Sequence, residues 1–190
     1  RSLIIAGNSP MGKKLAKEAN DGTLTWKDLN DAKWGLESTS SAAGYMYPSQ
    51  WLTDNFKHSI RDLKNTVTMD SYDSAMAQLA SGQMPEYADA RMDDAAKWTT
   101  TFGAKESIWD DTNVIGVTPA IANDGIMVSE KSKIMTADFK KALSAAIKDM
   151  AKTDEGKKVI AIYSHDGYVD STKADYKTAI KVANSMSKAN

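Results

Sequence analysis

Four hydroxyl residues in a row, Ser38-Thr39-Ser40-Ser41, follow Trp34-Gly35-Leu36-Glu37 and precede Ala42-Ala43-Gly44. The first stretch reads as a short buried strand, and the last as the opening of a helix. A helix start offers backbone N–H groups without intrahelical acceptors, together with the positive end of the helix dipole. Hydroxyls beside it add donors, and the combination suits an anion, most often a phosphate-like one. An ordinary serine N-cap accounts for one hydroxyl, whereas here there are four. Ser38, Thr39, Ser40 and Ser41 are therefore candidate ligand-binding residues. Of the aromatics that follow, Tyr45, Tyr47 and Trp51, packing is the default role, and Tyr45 is also a candidate for the pocket wall.

Other constellations carry less chemistry. His58 and His165 are far apart, and neither belongs to a His-x-x-x-His spacing or a comparable metal-ligand pattern. His165-Asp166 sits in a polar turn, and no Gly-x-Ser-x-Gly elbow supplies a nucleophile. Asp110-Asp111-Thr112-Asn113 lacks the acid-and-glycine spacing of a calcium loop and reads as a solvated turn. Neither a Walker nor a Rossmann glycine pattern occurs. The reading is of a binding protein rather than an enzyme, with no cofactor and no metal.

The 190 residues suffice for one large domain or two small lobes. With 42% hydrophobic and 26% charged residues, the composition is that of a globular protein. A net charge of −1 gives no reason to expect a nucleic-acid partner. Cysteine is absent, which removes disulfides and thiolate chemistry together. No apolar run reaches the length of a membrane span, and no signal-peptide pattern is present.

Strands and helices must position the hydroxyl run. Leu3-Ile4-Ile5-Ala6 is a continuous apolar run suited to a strand buried on both faces. Helix is expected over 13–19, a short turn capped by Thr25, strand over 33–37 and helix over 44–56, with Pro48 in its first turn. Strand over 65–69 leads to a helix capped by Ser71 and closed by Gly82. Helix over 93–100 and strands over 114–118 and 125–129 follow. Thr136 and Thr153 cap two further helices, and Tyr176, Ala179, Ile180 and Ala183 mark a last one. Alternating strands and helices argue for an α/β fold.

Ser40-Ser41-Ala42-Ala43-Gly44-Tyr45-Met46-Tyr47-Pro48 resembles the strand–Ser/Thr–Gly–aromatic–Pro signature of phosphonate-binding proteins. These are the substrate-binding subunits of ABC importers for phosphate, phosphite and phosphonate. Four other segments resemble the family in order. They are Thr25-Trp26-Lys27-Asp28-Leu29, Asp70-Ser71-Tyr72-Asp73 with Ser81-Gly82-Gln83, Ile121-Ala122-Asn123-Asp124, and the C-terminal pair around Gly156 and Gly167-Tyr168-Val169. The chain departs from the family pattern in two places. Ala42 and Ala43 stand where two hydroxyls are usual in register with Gly44, and a one-residue shift would bring Ser40 and Ser41 into play. Met84-Pro85-Glu86 joins Gly82-Gln83 to Tyr87-Ala88-Asp89-Ala90-Arg91 almost directly, where the family has a strand.

The resemblance implies an α/β fold of the two-lobed periplasmic-binding-protein type (type II-like). Residues 1–9 would form a crossover strand and 10–117 the second ligand-binding lobe. Residues 118–190 would form the return crossover and C-terminal helices packing on the first lobe. It implies further that strands preceding the crossover are absent from this chain, so that the apolar stripes of the C-terminal helices lack their usual sheet and the chain associates or partly unfolds. The expected function is capture of a phosphonate-, phosphite- or phosphate-ester-like anion outside the cytoplasm, in the periplasm or as a cell-surface lipoprotein, for delivery to a membrane permease. Some relatives bind thiamine pyrophosphate. By the same resemblance Tyr72 replaces a histidine that touches the oxyanion, Asp89 reads the organic part of the ligand, and Thr118 and Asp124 face the cleft. For Tyr72 a core aromatic, for Asp89 an ion pair with Arg91, and for Asp124 a turn residue of Asn123-Asp124-Gly125 are the alternatives. The rival functions are an enzyme using the same loop as an oxyanion site, and a surface lipoprotein with a degenerate pocket.

Overall fold

A computed structural model describes residues 1–80 and 95–187. The chain divides into two compact units, Arg1–Ile121 with Thr178–Asn190, and Ala122–Lys177.

The first unit is built on β1 (Leu3–Ala6), whose neighbours in sequence alternate between two cores. Ile4 and Ala6 join a cluster with Leu15, Leu29, Trp34, Leu36, Leu52 and Ile115, whereas Ile5 joins Met76, Leu79, Trp98 and Ile108. Successive strand side chains point to opposite faces, so the apolar run marks a strand covered on both sides, as its composition predicts. β1 pairs antiparallel with β4 (Asn113–Val117), Leu3 opposite Val117 and Ala6 opposite Asn113, with an irregularity between Ile4 and Ile5.

Ser9 caps α1 (Pro10–Asn20) by accepting the Gly12 N–H, and Pro10 occupies the first turn, where its missing N–H costs nothing. Thr25 caps α2 (Trp26–Asp31) in the same way. β2 (Trp34–Leu36) runs parallel to β3 (Thr66–Thr68), with Trp34 opposite Thr66 and Leu36 opposite Thr68. Between them lie a π-helical turn (Ala42–Met46), α3 (Tyr47–Phe56) and a 3-10 turn (Ile60–Asp62). α4 (Tyr72–Ala80) follows β3, with Ser71 accepting the Ser74 N–H at its start. Two short helices, α5 (Ala95–Thr100) and α6 (Ile108–Asp111), lead to β4.

The second unit holds α7 (Ala137–Met150) and α8 (Asp154–Ile160), capped by Thr136 and Thr153 as their sequences predict. Gly156 lies so near the end of α7 that a Cβ there would stand 1.9 Å from the Met150 carbonyl oxygen. Residues 125–129, read from sequence as a strand, carry no strand structure. No described chain pairs with them, and an extended run becomes a strand only when a neighbour takes up its backbone groups. α7 buries none of its residues, and Met127, Ile162 and Val169 are 91%, 78% and 88% exposed. The last helix, α9 (Lys177–Ser187), belongs almost wholly to the first unit. There Val182 is buried, the Ser185 hydroxyl donates to Gln50 Oε1, and Lys181 pairs with Asp54 of α3 at 3.2 Å.

No helix among the described residues is long and apolar enough to cross a membrane.

Candidate functional site

The parallel pairing of β2 and β3 decides the geometry of the hydroxyl run. Parallel strands place both C-terminal ends, and the starts of the helices that follow them, on one edge, where ligands of α/β sheets bind. The edge is fixed by hydrogen bonds at each end of the pair. The Trp34 N–H donates to the Asn65 carbonyl at 2.8 Å and the Met69 N–H to the Leu36 carbonyl at 2.7 Å. Glu37 and Asp70 therefore stand just past adjacent strand ends, followed by the hydroxyl run on one side and by Ser71 and Tyr72 on the other.

Ser38, Thr39 and Ser40 are exposed, and the Ser38 and Ser40 hydroxyls lie 3.1 Å apart. The Ser41 N–H closes a turn onto the Ser38 carbonyl at 2.8 Å. Ser41 is the cap, its hydroxyl accepting the Gly44 N–H at 3.0 Å. The first turn is π-helical, with the Met46 N–H reaching the Ser41 carbonyl at 3.0 Å. Such turns are wider than α-helical ones and recur at functional sites. The amides of Ala42 and Ala43 open this turn and have no intrahelical acceptor. Ser41 Oγ also lies 3.3 Å from the Tyr72 phenol oxygen, which brings a second candidate to the same place.

Two further candidates of the first unit are spent on the fold. Tyr45 is 9% exposed and packs in the larger core with Trp34 and Leu36. Thr118 is fully buried, its hydroxyl accepting the Ser2 N–H at 2.8 Å and donating to the Pro119 carbonyl at 3.1 Å. It locks the junction of β1 and β4, and from that junction the Ser2 hydroxyl donates to the Ala43 carbonyl at 2.8 Å. The buried junction thus braces the helix start that carries the hydroxyl run. Asp124 is exposed in the other unit, where it lines a cavity of about 530 Å³ with Leu143, Ile147, Lys148, Tyr168 and Tyr176. Asp89, with Gly82, Met84-Pro85-Glu86 and Arg91, lies outside the described residues.

Sequence reasoning passed over Glu37. It is half-buried, and its Oε1 has no accessible surface and no hydrogen-bond partner among the described residues. Burial, and secondarily the negative charge of Asp70, push its carboxyl above the usual range. An acid between a buried strand and a hydroxyl run was the available signal.

The histidines play packing roles. His58 stacks on Trp26 with ring centroids 4.2 Å apart, and His165 lies between Tyr163 and Tyr168. Asp110 and Asp111 close α6, where Asp111 accepts from Asn8 and from the Trp98 indole, Thr112 is buried and Asn113 opens β4, so the stretch is the end of a helix and the start of a strand rather than the solvated turn its sequence suggests. No group of three or more potential metal ligands occurs among the described residues.

Comparison with known proteins gives the site a context. A family model described as "ABC transporter, phosphonate, periplasmic substrate-binding protein" matches residues 1–176. The crystal structure of a binding protein component of an ABC phosphonate transporter from Pseudomonas aeruginosa is similar in fold, with a TM-score of 0.59 at 15% identity. The likeness covers 98% of this chain and 57% of that one, so the chain spans little more than half the length of that protein. Among curated proteins none matches.

Proposed function

Because the chain belongs to the family of periplasmic phosphonate-binding subunits of ABC transporters, we propose that it captures a phosphonate-, phosphite- or phosphate-ester-like anion at the hydroxyl run and delivers it to a membrane permease. The observation that carries this reading is the meeting of Ser41 and Tyr72 at the start of the π-helical turn. Exposed hydroxyls, helix-start amides and a phenol converge there from two parallel strand–helix connections. Such a site needs neither a nucleophile nor a general base, as suits a receptor. In this reading residues 10–117 carry the ligand-binding lobe, the chain crosses along β1 and returns after β4, and Thr118 and Ser2 brace the site without touching ligand. Tyr72 donates to the oxyanion in the place of a histidine. The receptor works outside the cytoplasm, in the periplasm or held at the cell surface as a lipoprotein.

The test is calorimetric titration with methylphosphonate, phosphite and phosphate. Hydrogen bonds to charged groups contribute about 1.5–3 kcal/mol each. Replacing both Ser40→Ala and Ser41→Ala therefore weakens binding roughly tenfold or more. Unchanged affinity in the double variant rejects the site.

A further inference from the structure

We propose that Ser2 is a positioning residue of the anion site: by holding the Ala43 carbonyl, its hydroxyl sets the Ala43–Gly44 peptide so that Ser41 offers its own proton to the anion. The proposal rests on the anion-binding reading of the hydroxyl run and adds to it a residue, far away in sequence, that governs how the run's cap is presented.

Ser2 stands just ahead of the apolar run of β1 and is fully buried. Its backbone is held without help from its side chain. The Ser2 N–H donates to the Thr118 hydroxyl at 2.8 Å, and the Ser2 carbonyl accepts the Thr118 N–H at 2.9 Å. The side chain is thereby left for another task, and its hydroxyl donates to the Ala43 carbonyl at 2.8 Å. That carbonyl belongs to the same peptide unit as the Gly44 N–H, which donates to the Ser41 hydroxyl at 3.0 Å. One peptide plane is thus pinned on both sides, by Ser2 and by Ser41. All of these residues lie in the first unit.

Two consequences reach the hydroxyl run. A peptide unit is planar, so fixing the direction of the Ala43 carbonyl fixes that of the Gly44 N–H, and with it the place of Ser41 Oγ. Hydrogen bonds in series also polarise one another away from bulk water. Gly44 is buried, and a carbonyl that accepts from Ser2 makes the Gly44 N–H a stronger donor. A serine hydroxyl has one proton and two lone pairs. Ser41 spends a lone pair on Gly44 and keeps its proton for an acceptor outside the turn. The Tyr72 phenol oxygen lies 3.3 Å from it. Of two neighbouring hydroxyls only one can donate to the other, so the pair keeps a proton to give. An oxyanion oxygen lying against both receives two.

The experiment is a double-variant cycle on methylphosphonate affinity, with calorimetry on the unaltered chain, Ser2→Ala, Ser41→Ala and the double variant. It is joined to amide hydrogen exchange, followed by NMR without added anion. Ser2→Ala keeps the backbone pair with Thr118 and removes only the hydroxyl. The expected result is that Ser2→Ala weakens binding about fivefold or more on its own but less than about twofold in the Ser41→Ala background, because residues that act through one another are not additive. Exchange at the Gly44 amide quickens about tenfold in Ser2→Ala, while the Thr118 amide, which reports the β1–β4 junction, keeps its rate. Equal losses from Ser2→Ala with and without Ser41 overturn the proposal, since Ser2 then supports the fold and not the cap. A Gly44 rate that stays unchanged, or that rises together with that of Thr118, overturns it even where Ser41→Ala binds too weakly to measure. Both of these outcomes leave the anion site standing, whereas an unaltered chain that binds no methylphosphonate overturns the anion site and the proposal with it.

Discussion

The hydroxyl of Ser41 and the phenol of Tyr72 lie 3.3 Å apart although 31 positions separate them in sequence. Neither local spacing nor a shared helix brings them together. Each opens the helix after one of two paired strands, and the parallel register of β2 and β3 sets both at one edge.

That relationship predicts the effect of Tyr72→Phe. The ring stays and the hydroxyl goes. Tyr72 is 37% exposed, at the first position of α4, so stability changes little. Methylphosphonate affinity falls roughly tenfold or more, as for the loss of one hydrogen bond to a charged group at about 1.5–3 kcal/mol. Calorimetry alongside a thermal melt checks both halves, and an unaltered affinity removes Tyr72 from the site.

Gly12→Ala tests a contact that helix propensity would misjudge. In the interior of a helix, alanine is favoured over glycine by about 1 kcal/mol. Here a Cβ would lie 2.0 Å from the Gly7 carbonyl oxygen and 2.8 Å from the Gly7 carbonyl carbon, and both are backbone atoms that cannot swing aside. The expected outcome is a destabilised chain, by about 1–3 kcal/mol as for other overpacked positions. The melting temperature should fall by several degrees, and a rise would show that α1 shifts freely.

Trp34→Phe removes a buried hydrogen bond, from the indole N–H to the Leu29 carbonyl at 2.7 Å. It also shrinks one of the largest fully buried side chains of the core. A loss of about 1–3 kcal/mol is expected, read as a lower urea midpoint at unchanged slope. The same strand leads into Glu37, so weaker methylphosphonate binding should accompany the loss of stability.

Asp31 gives a prediction in pH. Its carboxylate accepts from Lys27 at 2.5 Å and from Lys64 at 2.6 Å, and the first of these hydrogen bonds contributes most to lowering its pKa to about 2. A depressed carboxylate pKa stabilises the fold above the ordinary value of 3.8, and the contribution is lost as pH falls through about 2. Asp31→Asn should therefore be less stable at neutral pH and lose less stability between about pH 4 and 2. The group is solvent-exposed, so the difference is small and shrinks in added salt. Acid titrations followed by circular dichroism at low and high salt read it, and parallel curves for the two chains would refute it.

What the sequence determined by itself was local. Ser71, Thr136 and Thr153 each cap the helix foreseen for them, and Thr25 caps a six-residue helix where a short turn was expected, because a cap is a hydrogen bond spanning two or three residues and any chain that turns there makes it. The apolar run in β1 foretold a strand covered on both faces, and the hydroxyl run foretold exposed donors at a helix start. The family resemblance extended that reading to an α/β binding-protein fold, to which the family match and the fold likeness agree. Tertiary structure decided which candidates meet. Thr118 spends its hydroxyl on Ser2 and Pro119, and Tyr45 turns into the core. Residues 125–129 have the composition of a strand but no described partner, and a strand exists only in a pair. Glu37 was indistinguishable from any strand-end acid until the fold sealed one of its oxygens and set Asp70 on the neighbouring strand end. Burial and register are properties of the folded chain, fixed by contacts among residues tens of positions apart, and pattern along the sequence does not contain them.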